Sequence, residues 1–250
     1  MFKGFYNLTS GMLTQERHLN IVGNNLVNIS TAGFKEQRYT ATTFDDVMYS
    51  RVGNKKKDYT DIGRLSYKRV TSEITTTFDQ GIPEPTNMPF DFAIYGDGFF
   101  AVQDDNGEIF YTRSGSFSLD NNGCLTYGGI GHVLSPEGER VVLGTDNIQA
   151  DEQGNIYNAD TGESLGTVGV FAFEDNTQLT RNDQGMFQGE GAGAVENPRV
   201  FWGYLERSNS DMVRQMTELL TCQRALQSAA QVSKIYSDLV DKVANNIGSL

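Results

Sequence analysis

An apolar stripe at heptad spacing runs along each end of this chain, and the middle has none. That contrast limits what the sequence can fold into more than any other feature. From Phe5, the positions Leu8, Met12, Gln15, Leu19, Val22, Leu26 and Ile29 advance by alternating steps of three and four, and only Gln15 is polar. From Leu219, the positions Cys222, Leu226, Ala229, Ser233, Tyr236, Val240, Val243 and Ile247 do the same, with Ser233 out of line. Such spacing gives a helix one apolar face that buries against another helix. A chain whose two termini are seam-bearing helices is built to associate. The first stripe predicts a helix over residues 3–29, about 40 Å long at 1.5 Å per residue. Ser30, Thr31 and Gly33 supply its stop signals. Ser208, Asn209, Ser210 and Asp211 offer N-caps for a second helix that meets no Gly or Pro until Gly248. Asn24 and Asn25 are poor helix formers. They fit either bonds across a helix interface or fraying near a C-terminus.

Between these ends the pattern changes. Residues 36–80 are polar and Thr-rich, and read as an extended connector. Lys55-Lys56-Lys57 within it reads as a solvated loop tip or a contact for an acidic neighbour. Residues 81–205 hold short apolar or alternating runs at 99–102, 109–112, 117–119, 141–143 and 168–173, separated by turn signals such as Asn106-Gly107 and Asn122-Gly123. The 27 glycines against 5 prolines fit tight turns between strands. Asp precedes Gly by three residues at Asp104, Asp120 and Asp151. This is turn chemistry: Asp accepts local backbone bonds and Gly takes positive φ. A calcium loop needs acids at alternate positions and a closing Glu, and the twelfth position from Asp104 is Gly115. The fold class predicted is α+β. The N- and C-terminal helices, 1–35 and 206–250, pair as a coiled-coil domain, and a β-rich domain is inserted between them.

Charge follows the same division. The net charge is −12. Lys3, Arg17 and Lys35 against Glu16 leave residues 1–35 at +2, five bases offset five acids over 206–250, and the middle carries the remaining −14. An acidic middle does not suit nucleic acid. Near-neutral ends suit packing against copies of themselves. Mean hydropathy is −0.41, and no apolar run approaches the roughly 20 residues that span a bilayer. Met1-Phe2-Lys3 leads into mixed polar sequence rather than a signal peptide, so export, if any, uses no cleaved signal.

Catalytic material is scarce. With His18 and His132 as the two histidines, zinc pairs and histidine bases have no foundation. His18 reads as a flank contact beside the seam, and His132 as a turn or strand residue. No phosphate loop or nucleophile elbow occurs. The acidic pairs that a two-carboxylate hydrolase would need are accounted for by turns. Cys222 lies on the seam and reads as a small buried hydrophobe rather than half of a disulfide with Cys124. No catalytic, cofactor or metal site is expected.

Several segments resemble a known family. Gly23-Asn24-Asn25-Leu26-Val27-Asn28-Ile29-Ser30-Thr31-Ala32-Gly33-Phe34-Lys35 is similar to the N-terminal signature of the bacterial flagellar rod and hook proteins. Asp91-Phe92-Ala93-Ile94-Tyr95-Gly96-Asp97-Gly98-Phe99-Phe100 and Tyr111-Thr112-Arg113-Ser114-Gly115-Ser116-Phe117 resemble the family's central motif. Gly203-Tyr204-Leu205-Glu206-Arg207-Ser208-Asn209 and Gln223-Arg224-Ala225 resemble its C-terminal signature. The chain departs from the family at Val27, where Ala is usual, at Leu226, where an aromatic is usual, and at Tyr236-Ser237-Asp238, which replaces Thr-x-Asp. All three are packing changes.

The resemblance implies a non-enzymatic subunit of the axial flagellar tube in the basal body. Its partners would be copies of itself, other rod and hook proteins, and the flagellar export apparatus. The terminal helices would line the export channel and the β domain would form the outer layer. The chain is short for a hook protein, so a rod protein is expected, and the long connector favours the distal over the proximal type. The assembly interface expected comprises Leu8, Met12, Leu19, Val22, Asn24, Asn25, Leu26, Asn28, Gly33 and Phe34 at one end. At the other it comprises Leu219, Gln223, Arg224, Leu226, Tyr236, Val240, Val243 and Ile247. A secreted β-rich binding module or adhesin is the competing reading, since the middle domain alone would fit one.

Overall fold

The computed structural model describes residues 2–43, 47–52, 59–65, 69–182 and 184–247, with side chains described at 4–41, 73–182, 184–243 and 245. Lys55-Lys56-Lys57 and Gly248 lie outside the described residues. The chain forms two units, an α+β whole with helices at the ends and strands between. A helical unit takes residues 1–26, 37–75 and 211–250, and a β unit takes 27–36 and 76–210.

The helical unit holds α1 (Phe2–Val27) and α2 (Met212–Ile247). Thr9 and Thr14 fit inside α1 because their hydroxyls donate back to the carbonyls of Phe5 and Ser10, at 2.9 and 2.8 Å. A turn follows α1, in which the Thr31 N–H donates to the Asn28 carbonyl at 3.1 Å. Of the four caps offered for the second helix, Asp211 is the one used. Its Oδ1 accepts the Arg214 N–H at 3.0 Å, and its carbonyl accepts the Gln215 N–H at 2.9 Å.

The segment expected as an extended connector contains strands. Gln37–Thr43 pairs with Arg69–Thr76, and Val47–Val52 pairs antiparallel with Tyr59–Leu65. The Thr-rich composition marks this: β-branched residues favour extended backbone even without a clean apolar alternation.

In the β unit, nine strands among the described residues share one sheet. Its centre is Phe99–Asp104, which pairs with Ile109–Thr112, Gly131–Val133 and Val170–Ala172, all antiparallel. Side chains alternate across a strand, and both faces of this one are covered. Phe100 joins a cluster with Phe92, Ile94, Leu125 and Ile156, while Phe99 and Ala101 join another with Tyr111, Leu134 and Phe187. Ile148–Ala150, Asn155–Asn158 and Ser164–Thr167 make a separate three-stranded sheet. Phe92–Tyr95 pairs with Arg199–Trp202, and Pro83–Pro85 with Tyr204–Glu206.

The Asp-x-x-Gly spacing folds as turns. Gly107, Gly123 and Gly154 have φ of +89°, +76° and +84°, and their N–H groups donate to the carbonyls of Asp104, Asp120 and Asp151 at 2.9–3.1 Å. The carboxylates are occupied locally. Asp151 Oδ1 accepts the N–H groups of Gln153 and Asn155 at 3.0 and 2.9 Å. Burial pushes the Asp151 carboxyl up, but bonds from Asn155, Gln153 and Tyr157 together hold it below its ordinary range.

Candidate functional site

In the helical unit α1 and α2 touch. Phe5 stacks with Tyr236 at 6.4 Å between ring centroids, His18 Nδ1 lies 3.3 Å from Cys222 Sγ, and Asn25 Nδ2 lies 3.5 Å from Gln215 Oε1. Residue numbers rise along one helix as they fall along the other, so these contacts run antiparallel. His18 also faces Glu218 at 3.8 Å and stacks on Tyr39 at 5.3 Å, which makes it the flank contact that its place beside Leu19 predicts. Cys222 is a free, buried thiol. Burial, then the Glu218 charge, push its pKa up, so it behaves as a small hydrophobe.

Asn25 resolves half of the question posed by the asparagine pair. It is 1% exposed. Its Oδ1 accepts the Gln37 N–H at 3.0 Å and its Nδ2 donates to the Gln37 carbonyl at 2.8 Å, which fixes the strand that follows. Asn24 is exposed.

Cover along the stripes is uneven. Val22 is buried, and Leu8, Met12, Leu19 and Leu26 are half-buried. On α2, Leu219, Leu226 and Tyr236 are half-buried, whereas Gln223 and Arg224 are exposed. The α2 seam then continues to Val240 and Val243, each 42% exposed. The antiparallel register explains this: Phe5 already stands opposite Tyr236, so α1 ends before α2 does. Val232, Ile235 and Leu239 add a second exposed apolar row, at 53–59%. The side chain of Ile247 lies outside the described residues.

Asn28, Gly33 and Phe34 belong to the β unit. There the three quoted signatures converge on one buried carboxylate, Glu206, 1% exposed. Its Oε1 accepts from Lys35 Nζ at 2.7 Å and from the Gly81 N–H at 2.8 Å, and its Oε2 accepts from Arg113 Nε at 2.6 Å. Lys35 also donates to the Asp79 carbonyl at 2.8 Å. Arg113 spends its remaining donors on the carbonyls of Ile94, Gly96 and Gly98. The Glu206 carbonyl accepts the Gly33 N–H at 2.7 Å. Gly33 has φ of +68°, and a Cβ there would collide with the Ser114 backbone, so only glycine fits. Nearby, Asn209 Oδ1 accepts the Glu36 N–H at 2.7 Å, and its Nδ2 donates to the Thr77 carbonyl at 2.8 Å.

Two buried cations around one anion survive burial because both carboxylate oxygens and most of the cations' protons are used. Burial lowers the Lys35 pKa, and the attraction of Glu206 opposes that fall. This arrangement is a joint that ties the three signature segments together. Lys35, Arg113 and Glu206 were not expected as site residues, although each stands in a quoted motif. Charged side chains read as surface in a sequence, and these partners are 171 and 93 residues apart.

Three family models match the chain in order. Residues 5–35 match the flagella basal body rod protein model, 93–170 the flagellar hook protein FlgE/F/G D1 domain, and 203–247 the flagellar basal body rod FlgEFG protein C-terminal model. The chain is 27% identical to the flagellar basal-body rod protein FlgG of Bacillus subtilis, covering 98% of this chain and 99% of that protein. It is 27% identical to the flagellar hook-basal body complex protein FlhO of the same organism, covering 100% of both. It is 28% identical to the flagellar basal-body rod protein FlgF of Mesorhizobium japonicum, covering 100% of this chain and 99% of that protein.

Proposed function

We propose that this chain, which belongs to the flagellar rod and hook protein family, is a structural subunit of the basal-body rod. The family is structural and non-enzymatic. No helix among the described residues is long and apolar enough to cross a membrane. In this reading the chain polymerises with itself and with other axial proteins into the tube that transmits torque and carries the export channel. It reaches that tube through the flagellar export apparatus. The observation that carries the reading is the α2 seam. It is half-buried through Tyr236 and then runs on uncovered through Val240 and Val243, with Val232, Ile235 and Leu239 beside it. Each Val or Leu fully buried contributes about 1.5–3 kcal/mol, so helices from neighbouring copies gain by covering this row as a coiled coil. The length of 36–80 supports a distal rather than a proximal place in the rod.

The experiment is isolation of hook–basal bodies from the parent and from a strain lacking the gene. Rods containing this chain in the parent, and truncated rods in the mutant, are expected. Full-length rods in the mutant, with the chain recovered free or on the cell surface, would favour the β-rich binding module. The length at which the mutant rod stops separates a distal from a proximal place.

A further inference from the structure

Besides the row through Val232, Ile235 and Leu239, α2 carries a second uncovered apolar row near its start. Val213, Met216 and Leu220 are 44–75% exposed. Val213 and Leu220 each stand two residues before a residue that touches α1: Gln215, which meets Asn25, and Cys222, which meets His18. Two residues turn a helix by about 200°. This row therefore points away from α1, and α1 of the same chain cannot cover it. The two rows share one spacing, a step of three and then a step of four. They lie nineteen residues apart on a single helix, about 28 Å at 1.5 Å per residue, so neither can reach the other within a copy.

We propose that the first row of one copy covers the second row of the next, the two α2 helices lying parallel and staggered by nineteen residues. The proposal rests on the rod-subunit reading and names which surfaces meet. Equal spacing matches the layers: Val213 meets Val232, Met216 meets Ile235, and Leu220 meets Leu239. The flanks match as well. On one side Met212 and Leu219 come beside Tyr236 and Val243 of the next copy. On the other, Arg224 stands five residues beyond the level of Asp238, the spacing at which flanking charges pair across a parallel coiled coil. Both charged side chains are exposed within the single copy. The following layer sets Gln223 against Lys242, which is polar and ends the apolar contact. Because one surface meets a different surface, each copy keeps a free row at either end, and the contact extends into a filament rather than closing as a dimer.

The test is a charge exchange in the full chain, expressed in the strain lacking the gene. Arg224→Asp or Asp238→Arg alone sets like charges against each other at every contact, and is expected to cut the yield of intact rods about fivefold. Both changes together are expected to restore the parent's yield. Helical circular dichroism of each purified single variant is expected to match the parent, since both side chains are exposed. A second readout fixes the stagger. Val213→Cys with Val232→Cys, oxidised in isolated basal bodies, is expected to give a ladder of dimers, trimers and longer chains. Val213→Cys with Leu239→Cys, one heptad out of step, is expected to give no more cross-linking than the parent. Single exchanges without effect, a combined exchange as defective as the singles, or a ladder that stops at dimers would overturn the proposal. Deletion of the gene is the control: truncated rods there, with any of those results, refute the stagger alone, while full-length rods in the deletion refute the rod reading beneath it.

Discussion

Glu206 is one carboxylate answering two cations, and its loss would leave both stranded. In Glu206→Gln the shape is kept, but Lys35 and Arg113 lose their anion in a site where all three residues are at most 4% exposed. Breaking a buried pair in this way costs about 3–5 kcal/mol, which a denaturant titration of the β unit should read as a fall in midpoint. Lys35 sets a pH dependence whose sign can be worked out. Burial holds its folded pKa below 10.5, so between that lowered value and 10.5 the unfolded chain binds more protons than the folded one. Stability of the β unit therefore rises with pH across that window. Midpoints measured as the pH is raised toward 10.5 should climb more steeply in the parent than in Lys35→Met, where this group is gone; equal slopes up to that pH would contradict the assignment. Gly33→Ala should destabilise the same unit by about 1–3 kcal/mol through strain at a positive φ. The motifs around these residues were legible in the sequence. Their convergence was not, because local pattern gives no sign that Lys35, Arg113 and Glu206 turn inward.

At the scale of elements, both helices were legible from heptad spacing alone, since a periodic apolar face has only one economical use. The ends were harder. Four neighbouring residues could have capped α2, and the backbone selects Asp211. Asp211→Ala should cost about 1 kcal/mol of helix stability, visible as a loss of helical circular dichroism. The strands at Gln37–Thr43 and Arg69–Thr76 were missed because Thr-rich sequence without alternation gives no face to assign. Half-burial along α1 and α2 has a dynamic consequence. Ordering a backbone costs about 1–2 kcal/mol per residue, and a seam only partly covered offsets less of that cost than the Phe100 and Leu125 core does. In the isolated chain, amide exchange over residues 5–25 should be faster than over 99–104 and should slow once the chain polymerises. Equal protection in the free chain would contradict this.

The molecule as a whole divides by charge as it divides by structure. Residues 1–35 and 206–250 are near neutral while the middle is acidic, which leaves the seam-bearing helices free of strong mutual repulsion. The relatives align over 98–100% of this chain, so the likeness covers helices and strands together rather than one module. The central claim is that the uncovered end of the α2 seam joins copies into a rod. Its most direct measurement is electron microscopy of basal bodies from a deletion strain complemented with Val240→Asp/Val243→Asp, alongside the melting midpoint of the purified variant. The account predicts absent or truncated rods with the β unit melting as in the parent. Full-length rods in a motile strain would contradict it.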